Sequence, residues 1–199
     1  MTGSASDFEA PALLLAMPQV LDPFFHRSVV LLLHHTEEGS FGFIVNRPIE
    51  LRLAEILDAM QIAWHGMPDA QAYFGGPVQS QVGTVMFRLS AGEQFDLASL
   101  EGMTEVAPGI LISQQSEDLG RLAARPPLCF RLFLGYAGWG AGQLVDEIVR
   151  NDWLIAPVSH DLLFADEPDG VWERAVRSVG VDPATLPAWT PEAEEEETN

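Results

Sequence analysis

The sequence predicts an α+β fold, in which a mixed, largely antiparallel β-sheet with flanking helices forms a single domain. The chain has 199 residues, the length of one domain. Hydrophobic residues make up 47% of it, enough to bury a large core without disulfides or metals. Strand-like runs cluster early and mix with helical patterns later, without the regular strand–helix alternation of a doubly wound parallel sheet.

Three apolar runs in the first quarter of the chain predict strands. The first covers residues 12–17, and the next two, at residues 28–35 and 41–46, flank a short polar connection and so predict an antiparallel hairpin. Arg47-Pro48 ends the third run. A helix is then predicted by apolar residues at positions 53, 56, 57 and 60. Further strands are expected at residues 72–74, 82–89 and 110–112.

The stretch from Leu132 to Trp153 organises the second half of the chain. Its apolar start predicts a buried strand that ends at Gly135, and the recurring glycines that follow predict a turn. A one-sided helix is predicted next by Ala141, Leu144, Val145, Ile148 and Val149. Asp146 and Arg150 lie one turn apart on its other face, where they can pair.

Three more elements lie on either side of this stretch. Ser116 is expected to cap a short helix that ends before Pro126. Residues 153–156 predict a strand, and a helical stripe that stops at Gly180 predicts the last helix. The stripe consists of Trp172, Ala175, Val176 and Val179.

Composition sets the expected boundaries. Residues 1–10 predict a flexible leader, residues 11–189 the folded domain, and residues 190–199 an acidic disordered tail. The leader lacks the basic segment of a signal peptide. No apolar run approaches the roughly 18 residues of a membrane span. We therefore expect a cytoplasmic protein with no membrane partner.

The charge of the chain disfavours direct nucleic-acid binding. The formal net charge is −19, from 29 acidic and 10 basic residues. A charge of this sign repels phosphate backbones unless a local basic patch compensates. No such patch is visible in the sequence, because Arg121, Arg125 and Arg131 are spread among apolar residues.

The histidines and the cysteine give no metal or cofactor signal. His34 and His35 are neighbours on a predicted strand, so their side chains point to opposite faces of the sheet. No zinc-type spacing occurs, and we expect no metal and no cofactor. Cys129 is the only cysteine, which excludes an internal disulfide, and its apolar neighbours predict a buried, inert thiol.

One turn holds the residue types of a hydrolase triad: Asp22, His26 and Ser28. Residues so close along a single turn rarely reach triad geometry, and the chain lacks a Gly-x-Ser-x-Gly elbow. We assign no catalytic residue. Asp22 and Arg27 are expected to cap and pair within the turn, while Phe24 and Phe25 anchor it to the core.

The glycines before the predicted helix also invite a phosphate-binding interpretation, since a helix start presents free amides to an anion. Gln143 stands where the dinucleotide fingerprint requires its third glycine, and no Lys-Ser or Lys-Thr pair follows. A tight turn that lets Tyr136 and Trp139 pack on the sheet is favoured. Weak anion binding at the helix start is the alternative.

Asn46-Arg47-Pro48 supports two interpretations. The favoured one is turn chemistry with a surface ion pair. The other is a recognition corner, in which the Arg47 guanidinium binds a carboxylate or phosphate of a ligand or partner.

Five motifs follow one another along the chain: residues 14–18, residues 22–24 with 27–30, Gly42 with residues 44–48, Gly75-Gly76-Pro77, and residues 135–139 with Gly142-Gln143-Leu144. In this order they resemble the YqgE/AlgH family of bacterial proteins. The resemblance covers about residues 13–187. It implies a compact α+β domain with a coiled, branching β-sheet and no established catalytic activity; some members are labelled transcriptional regulators. Val145 stands where the family often has Glu, whereas Glu147 fits a second family acid.

We expect these motifs to form one groove, and its candidate residues are Arg27, Ser28, Asn46, Arg47, Pro48, Gly75, Gly76, Pro77, Tyr136, Gly138, Trp139, Gly142 and Gln143. The favoured function is a non-enzymatic interaction or regulatory module that binds a protein segment or a small anionic ligand. One alternative is a small-molecule binder or an enzyme that uses Arg27, Asn46 and Gln143, with His26 as the only nearby base. The other is a transcriptional regulator that binds DNA directly.

Overall fold

The computed structural model describes residues 8–187, which fold into a strongly curled sheet with helices packed on it. The strands within this range are β1 (Ala12–Ala16), β2 (Val29–Thr36), β3 (Gly39–Ile44), β4 (Pro48–Arg52), β5 (Gln71–Phe74), β6 (Val78–Arg88), β7 (Thr104–Ala107), β8 (Ile110–Ser113), β9 (Cys129–Gly140) and β10 (Trp153–Ala156). The helices are α1 (Leu53–Ala59), α2 (Ser116–Ala124), α3 (Gln143–Val149), α4 (His160–Leu163) and α5 (Val171–Ser178).

The strand order is β10-β1-β2-β3-β9-β6-β8-β7, and every neighbouring pair on this path is antiparallel. Off the path, β5 pairs antiparallel with β4 and parallel with β9. The mixed, largely antiparallel α+β fold is therefore confirmed. The predicted hairpin is β2–β3, in which Thr36 lies opposite Gly39.

Strand β9 is where the sheet branches. It is 12 residues long and pairs with three other strands. Phe133 and Leu134 pair with β5 and also with β6, so those two strands occupy opposite edges of β9. The link from β5 to β6, residues 75–77, must consequently cross β9.

Three apolar clusters make up the core. In the first, α5 packs against β1 and β2, and the buried Trp172 indole donates to the Ala16 carbonyl over 2.7 Å. In the second, α1 and α2 cover β6 and the start of β9. The third surrounds Trp139 and Trp153 beside α3. Asp118 of α2 is fully buried and accepts hydrogen bonds from two loop amides and from Ser113 Oγ.

Several local predictions are wrong. Strand β9 does not end at Gly135 but continues to Gly140, because its pairing with β3 extends over the recurring glycines. Helix α3 starts at Gln143, two residues later than expected. Ser116 is the first helical residue and makes no cap hydrogen bond. Strands β4 and β7 and the short α4 lie in segments that were expected to be connections.

Three side-chain predictions are also wrong. Arg150 pairs with Asp152 at 2.9 Å rather than with Asp146. Arg27 pairs with Glu173 at 3.5 Å rather than with Asp22. Cys129 is only partly buried, because it begins β9 at an edge of the core.

The described residues include no helix long and apolar enough to cross a membrane. At the end of the expected leader, Phe8 stacks on His35 with ring centroids 4.3 Å apart. Residues 1–7 of that leader and the whole expected acidic tail lie outside the described range, so the predicted domain boundaries remain predictions.

Candidate functional site

Two glycine motifs meet where residues 75–77 cross β9. Gly75 N donates to the Leu134 carbonyl over 2.8 Å, and the Gly75 carbonyl accepts from Ile44 N over 2.9 Å. Gly76 has φ +150, and a Cβ atom there would lie 2.1 Å from the Tyr136 carbonyl carbon. Gly135 has φ +71, and its Cβ would lie 2.4 Å from the Gly76 carbonyl oxygen. Only glycine permits this crossing at both positions.

The segment that contains Arg27 and Ser28 is held by Asn46. Asn46 Oδ1 accepts from Val29 N over 2.8 Å, and Asn46 Nδ2 donates to the Arg27 carbonyl over 3.0 Å. Arg47 Nη2 donates to the His26 carbonyl. Both side chains thus bind the backbone of residues 26–29. Pro48 starts β4 and lies opposite Tyr73.

The Arg27 guanidinium is directed at α5. It lies 5.1 Å from the Trp172 ring centroid, in addition to its ion pair with Glu173. Arg27 is also a non-glycine residue with positive φ, 51°. Ser28 Oγ and Arg47 Nε are buried without a hydrogen-bond partner in the described structure. This corner therefore fastens the 22–29 turn to the core.

The turn itself is partly as predicted. Asp22 Oδ1 caps it by accepting from Phe24 N over 2.8 Å. Phe25 anchors it, with its ring 6.2 Å from Trp139 and 5.8 Å from Trp153. Phe24 does not, because its side chain is 46% exposed and only stacks on Phe74.

Gln143 and Glu147 of α3 hold the tryptophan cluster together. Glu147 Oε2 accepts from the indole nitrogens of Trp139 and Trp153, each over 2.8 Å. Its Oε1 accepts from Gln143 Nε2 over 2.9 Å, and Gln143 Oε1 accepts from Gly140 N over 3.0 Å. We call these four side chains the Glu147 network. Gly142 has φ +74 and precedes the helix.

A cavity of about 320 Å³ lies beside the Glu147 network. We call it the tryptophan cavity. Its lining includes three predicted residues, Gly138, Trp139 and Gln143. The polar atoms of Gln143 and Glu147 already have internal partners, so this wall offers a ligand little unsatisfied hydrogen-bonding capacity.

A larger cavity of about 580 Å³ lies between the β2–β3 hairpin and β9. We call it the hairpin cavity, and it is lined by His34, Thr36, Glu38, Gly39, Ser40, Phe41, Phe43, Val78, Gln79, Gln114, Tyr136, Gly138 and Trp139. Phe41 lies opposite Gly138 in the β3–β9 register. Gly138 has no side chain, and the Tyr136 ring lies against it: a Cβ atom at Gly138 would be 3.3 Å from Tyr136 Cε2. The Tyr136 ring in turn meets Phe41 edge to face, with ring centroids 6.2 Å apart.

The structure thus divides the candidate residues among four places: the two cavities, the crossing with β9, and the corner at residues 26–29. Tyr136, Gly138 and Trp139 line the hairpin cavity, and Gly138, Trp139 and Gln143 line the tryptophan cavity. Gly75 and Gly76 form the crossing with β9, next to Pro77. Arg27, Ser28, Asn46, Arg47 and Pro48 line neither cavity. The two cavities share Gly138 and Trp139 along β9.

Sequence reasoning missed most of the residues that line the hairpin cavity: His34, Thr36, Glu38, Gly39, Ser40, Phe41, Phe43, Val78, Gln79 and Gln114. The sequence did contain one indication of this cavity. Phe41 and Phe43 alternate with Gly42 on the predicted third strand, and alternation places both rings on one face. The opposing Gly138 could not be paired with Phe41 from sequence, because that strand was expected to end at Gly135.

Chemically reactive groups are few. The described residues hold no cluster of three or more side chains suited to a metal ion. His35 Nδ1 lies 2.7 Å from Ser40 Oγ, but Ser40 is buried and the Phe8 ring stacks on His35. His26 Nδ1 contacts the Val20 carbonyl at 3.2 Å. Both histidine rings therefore make contacts that hold the fold together.

Comparison with known proteins decides the family. A family model described as AlgH-like matches residues 13–184. The chain belongs to the AlgH-like family. A UPF0301 protein of Myxococcus xanthus is 39% identical over 178 residues, which cover 89% of this chain and 94% of that protein. A UPF0301 protein of Cupriavidus metallidurans is 37% identical over 87% of this chain and 89% of that protein.

Two solved structures share the AlgH-like fold. The solution structure of the AlgH protein from Pseudomonas aeruginosa superposes with a TM-score of 0.71 and 31% identity, covering 97% of this chain and 100% of that one. A crystal structure from Corynebacterium diphtheriae gives a TM-score of 0.66 and 25% identity, with coverages of 84% and 85%. The family resemblance seen in the motifs is confirmed.

Proposed function

We propose that this chain is a non-enzymatic protein-interaction module that receives a segment of a partner protein in the hairpin cavity. The observation that carries this proposal is the cavity itself, about 580 Å³ in volume and walled by aromatic rings. Phe41 is a large apolar side chain that is 38% exposed at its rim. Concave sites with aromatic walls and a few polar groups are where proteins bind other molecules.

Backbone strain at the cavity supports the same assignment. Gln79 is a lining residue with φ 50, in a region that non-glycine residues seldom occupy. Such conformations persist only where the surrounding structure imposes them, and they cluster at binding sites.

The candidate residues outside the hairpin cavity give less support to a ligand site of their own. Asn46, Arg47 and Gln143 direct hydrogen bonds to this chain's own backbone or to Glu147. An enzyme or anion binder that used Arg27, Asn46 and Gln143 would have to break these contacts. The hairpin cavity requires no such rearrangement.

The proposal is tested by selecting displayed random peptides against the full-length chain. Selected peptides are expected to lose affinity by about tenfold or more for Phe41→Ala, which removes an exposed lining ring, and for Gly138→Val, whose side chain displaces the Tyr136 ring. The matched control is Leu128→Ala, which removes a more exposed apolar side chain that does not line the cavity. Equal binding to all four proteins would refute the proposed site.

A further inference from the structure

Charge at the hairpin cavity has one sign. Glu38 is the only Asp, Glu, Arg or Lys residue in the described lining. Glu38 lies in the tight β2–β3 connection, beside Gly39, whose backbone also lines the cavity. The whole chain carries a formal charge of −19, so its field attracts cations to any open cleft. An anionic group entering here would meet repulsion from both sources.

The arrangement of the aromatic rings also favours a cationic ligand. Phe41 is in contact with two other lining rings: Tyr136, edge to face at 6.2 Å, and His34, tilted at 5.8 Å. The faces of phenyl and phenol rings carry negative electrostatic potential and attract ammonium and guanidinium groups within about 6 Å. The rings also provide apolar surface for the methylene stem of a long cationic side chain.

Polar groups at the cavity can complete the coordination of a cation. Gln114 is held in place, because its Nε2 donates to Thr84 Oγ1 over 2.9 Å, which leaves its amide oxygen as an acceptor. Gln79 brings a second amide to the lining on its strained backbone. Ammonium and guanidinium groups are donors without acceptor capacity, so a lining that holds amide oxygens and a carboxylate matches them.

We infer that the occupant of the hairpin cavity is an arginine or lysine side chain, carried by the partner segment of the function proposed above. Its stem lies against Phe41 and Tyr136, and its head group reaches Glu38. This inference rests on the proposed function and adds the chemical class of the ligand. The chain then selects partners whose docking segments are basic.

The test compares n-butylammonium, which mimics the end of a lysine side chain, with n-butanol, its neutral counterpart. Each is titrated into the full-length chain, and the amide NMR signals of Gly39 and Gly138 are followed. We expect the ammonium to bind in the millimolar range, several-fold more tightly than the alcohol. Glu38→Gln is expected to abolish this preference, and added salt to weaken it. Glu37→Gln, which removes a neighbouring charge outside the lining, is expected to retain it.

Equal affinity for the two probes would overturn the inference about charge while leaving the interaction module intact. A preference that Glu38→Gln and Glu37→Gln reduce equally would reflect the general field and would also overturn the inference. Absence of signal changes with both probes would overturn it as well. In each case the peptide selection still decides the proposed function separately.

Discussion

At the scale of single residues, the polar side chains that stood out in the sequence mostly serve the scaffold. The Asn46 amide accepts from Val29 N and donates to the Arg27 carbonyl, and the residue is only 8% exposed. Glu147 joins two indoles and Gln143. A polar residue next to glycines or prolines has the same sequence pattern whether it binds a ligand or its own backbone, so only coordinates separate the two roles.

The Glu147 network leads to a prediction about stability. Glu147→Ala removes the acceptor of two N–H groups on the buried Trp139 and Trp153 side chains. Buried donors without partners are costly, and we expect the free energy of unfolding to fall by about 3 kcal/mol. Urea denaturation followed by circular dichroism measures the change.

Asp146→Ala is the matched control on the same helix. Asp146 is exposed and accepts no side-chain hydrogen bond in the described structure, so its removal is expected to reduce stability by less than about 1 kcal/mol, through the helix dipole alone. Equal losses for the two variants would show that Glu147 does not hold the tryptophans.

At the scale of elements, β9 organises the molecule by pairing with strands on both of its edges. Because β5 and β6 lie on opposite edges, the chain between them crosses β9 at Gly75-Gly76-Pro77. The same strand continues past this crossing and places Gly138 opposite Phe41, so that the Tyr136 ring can lie against Gly138 in the lining of the hairpin cavity. The glycine motifs thus determine both the branch of the sheet and the shape of the cavity.

The crossing predicts a severe effect of Gly76→Ala. The added Cβ would lie 2.1 Å from the Tyr136 carbonyl carbon and 2.3 Å from Ala137 N, and backbone atoms of a paired strand cannot move aside cheaply. We expect a loss of about 4 kcal/mol or more in the free energy of unfolding. Thermal and urea denaturation of the purified variant, or its absence from the soluble fraction, report the effect.

Gly109→Ala is the control that separates the steric clash expected at Gly76 from the cost of placing an alanine at positive φ. Gly109 has φ +72, but an added Cβ meets no atom within 4 Å. Its substitution is expected to reduce stability by only about 1 kcal/mol. A Gly76→Ala protein as stable as Gly109→Ala would contradict the close crossing.

At the scale of the whole molecule, the net charge limits which partners can approach. The chain carries 29 acidic residues and only 10 basic ones. Arg27 and Arg150 are engaged in internal ion pairs, and Arg131 donates to the Ala165 carbonyl and lies over the Tyr73 ring. We expect a charge excess of this sign to favour basic partners and to oppose nucleic acids.

The net charge leads to a prediction about the alternative function, a transcriptional regulator that binds DNA directly. We expect no binding of the full-length chain to labelled duplex DNA at low salt, measured by fluorescence anisotropy, because release of counterions requires a cluster of cations on the protein. A basic helix-turn-helix protein serves as the positive control. Binding that weakens steeply as salt is raised would contradict this prediction and restore that alternative.

The sequence by itself was sufficient for the fold class, the early hairpin and most of the helices. These depend on local periodicity: apolar residues in short runs or alternating along a strand, or at every third or fourth position along a helix, show which face is buried. The last helix is an example, since Trp172, Ala175 and Val176 are buried together in α5 as their spacing predicts. Gly180 has positive φ at the predicted stop.

Tertiary structure decided where β9 ends, which strands flank it and which side chains face an open cavity. Gly138 was predicted to lie in a turn because recurring glycines suit a backbone with positive φ, but pairing with β3 makes it part of the strand. The hairpin cavity combines residues 34–43 with residues 78–79, 114 and 136–139. Such long-range pairing depends on the register between distant strands, and no local pattern of residues encodes that register.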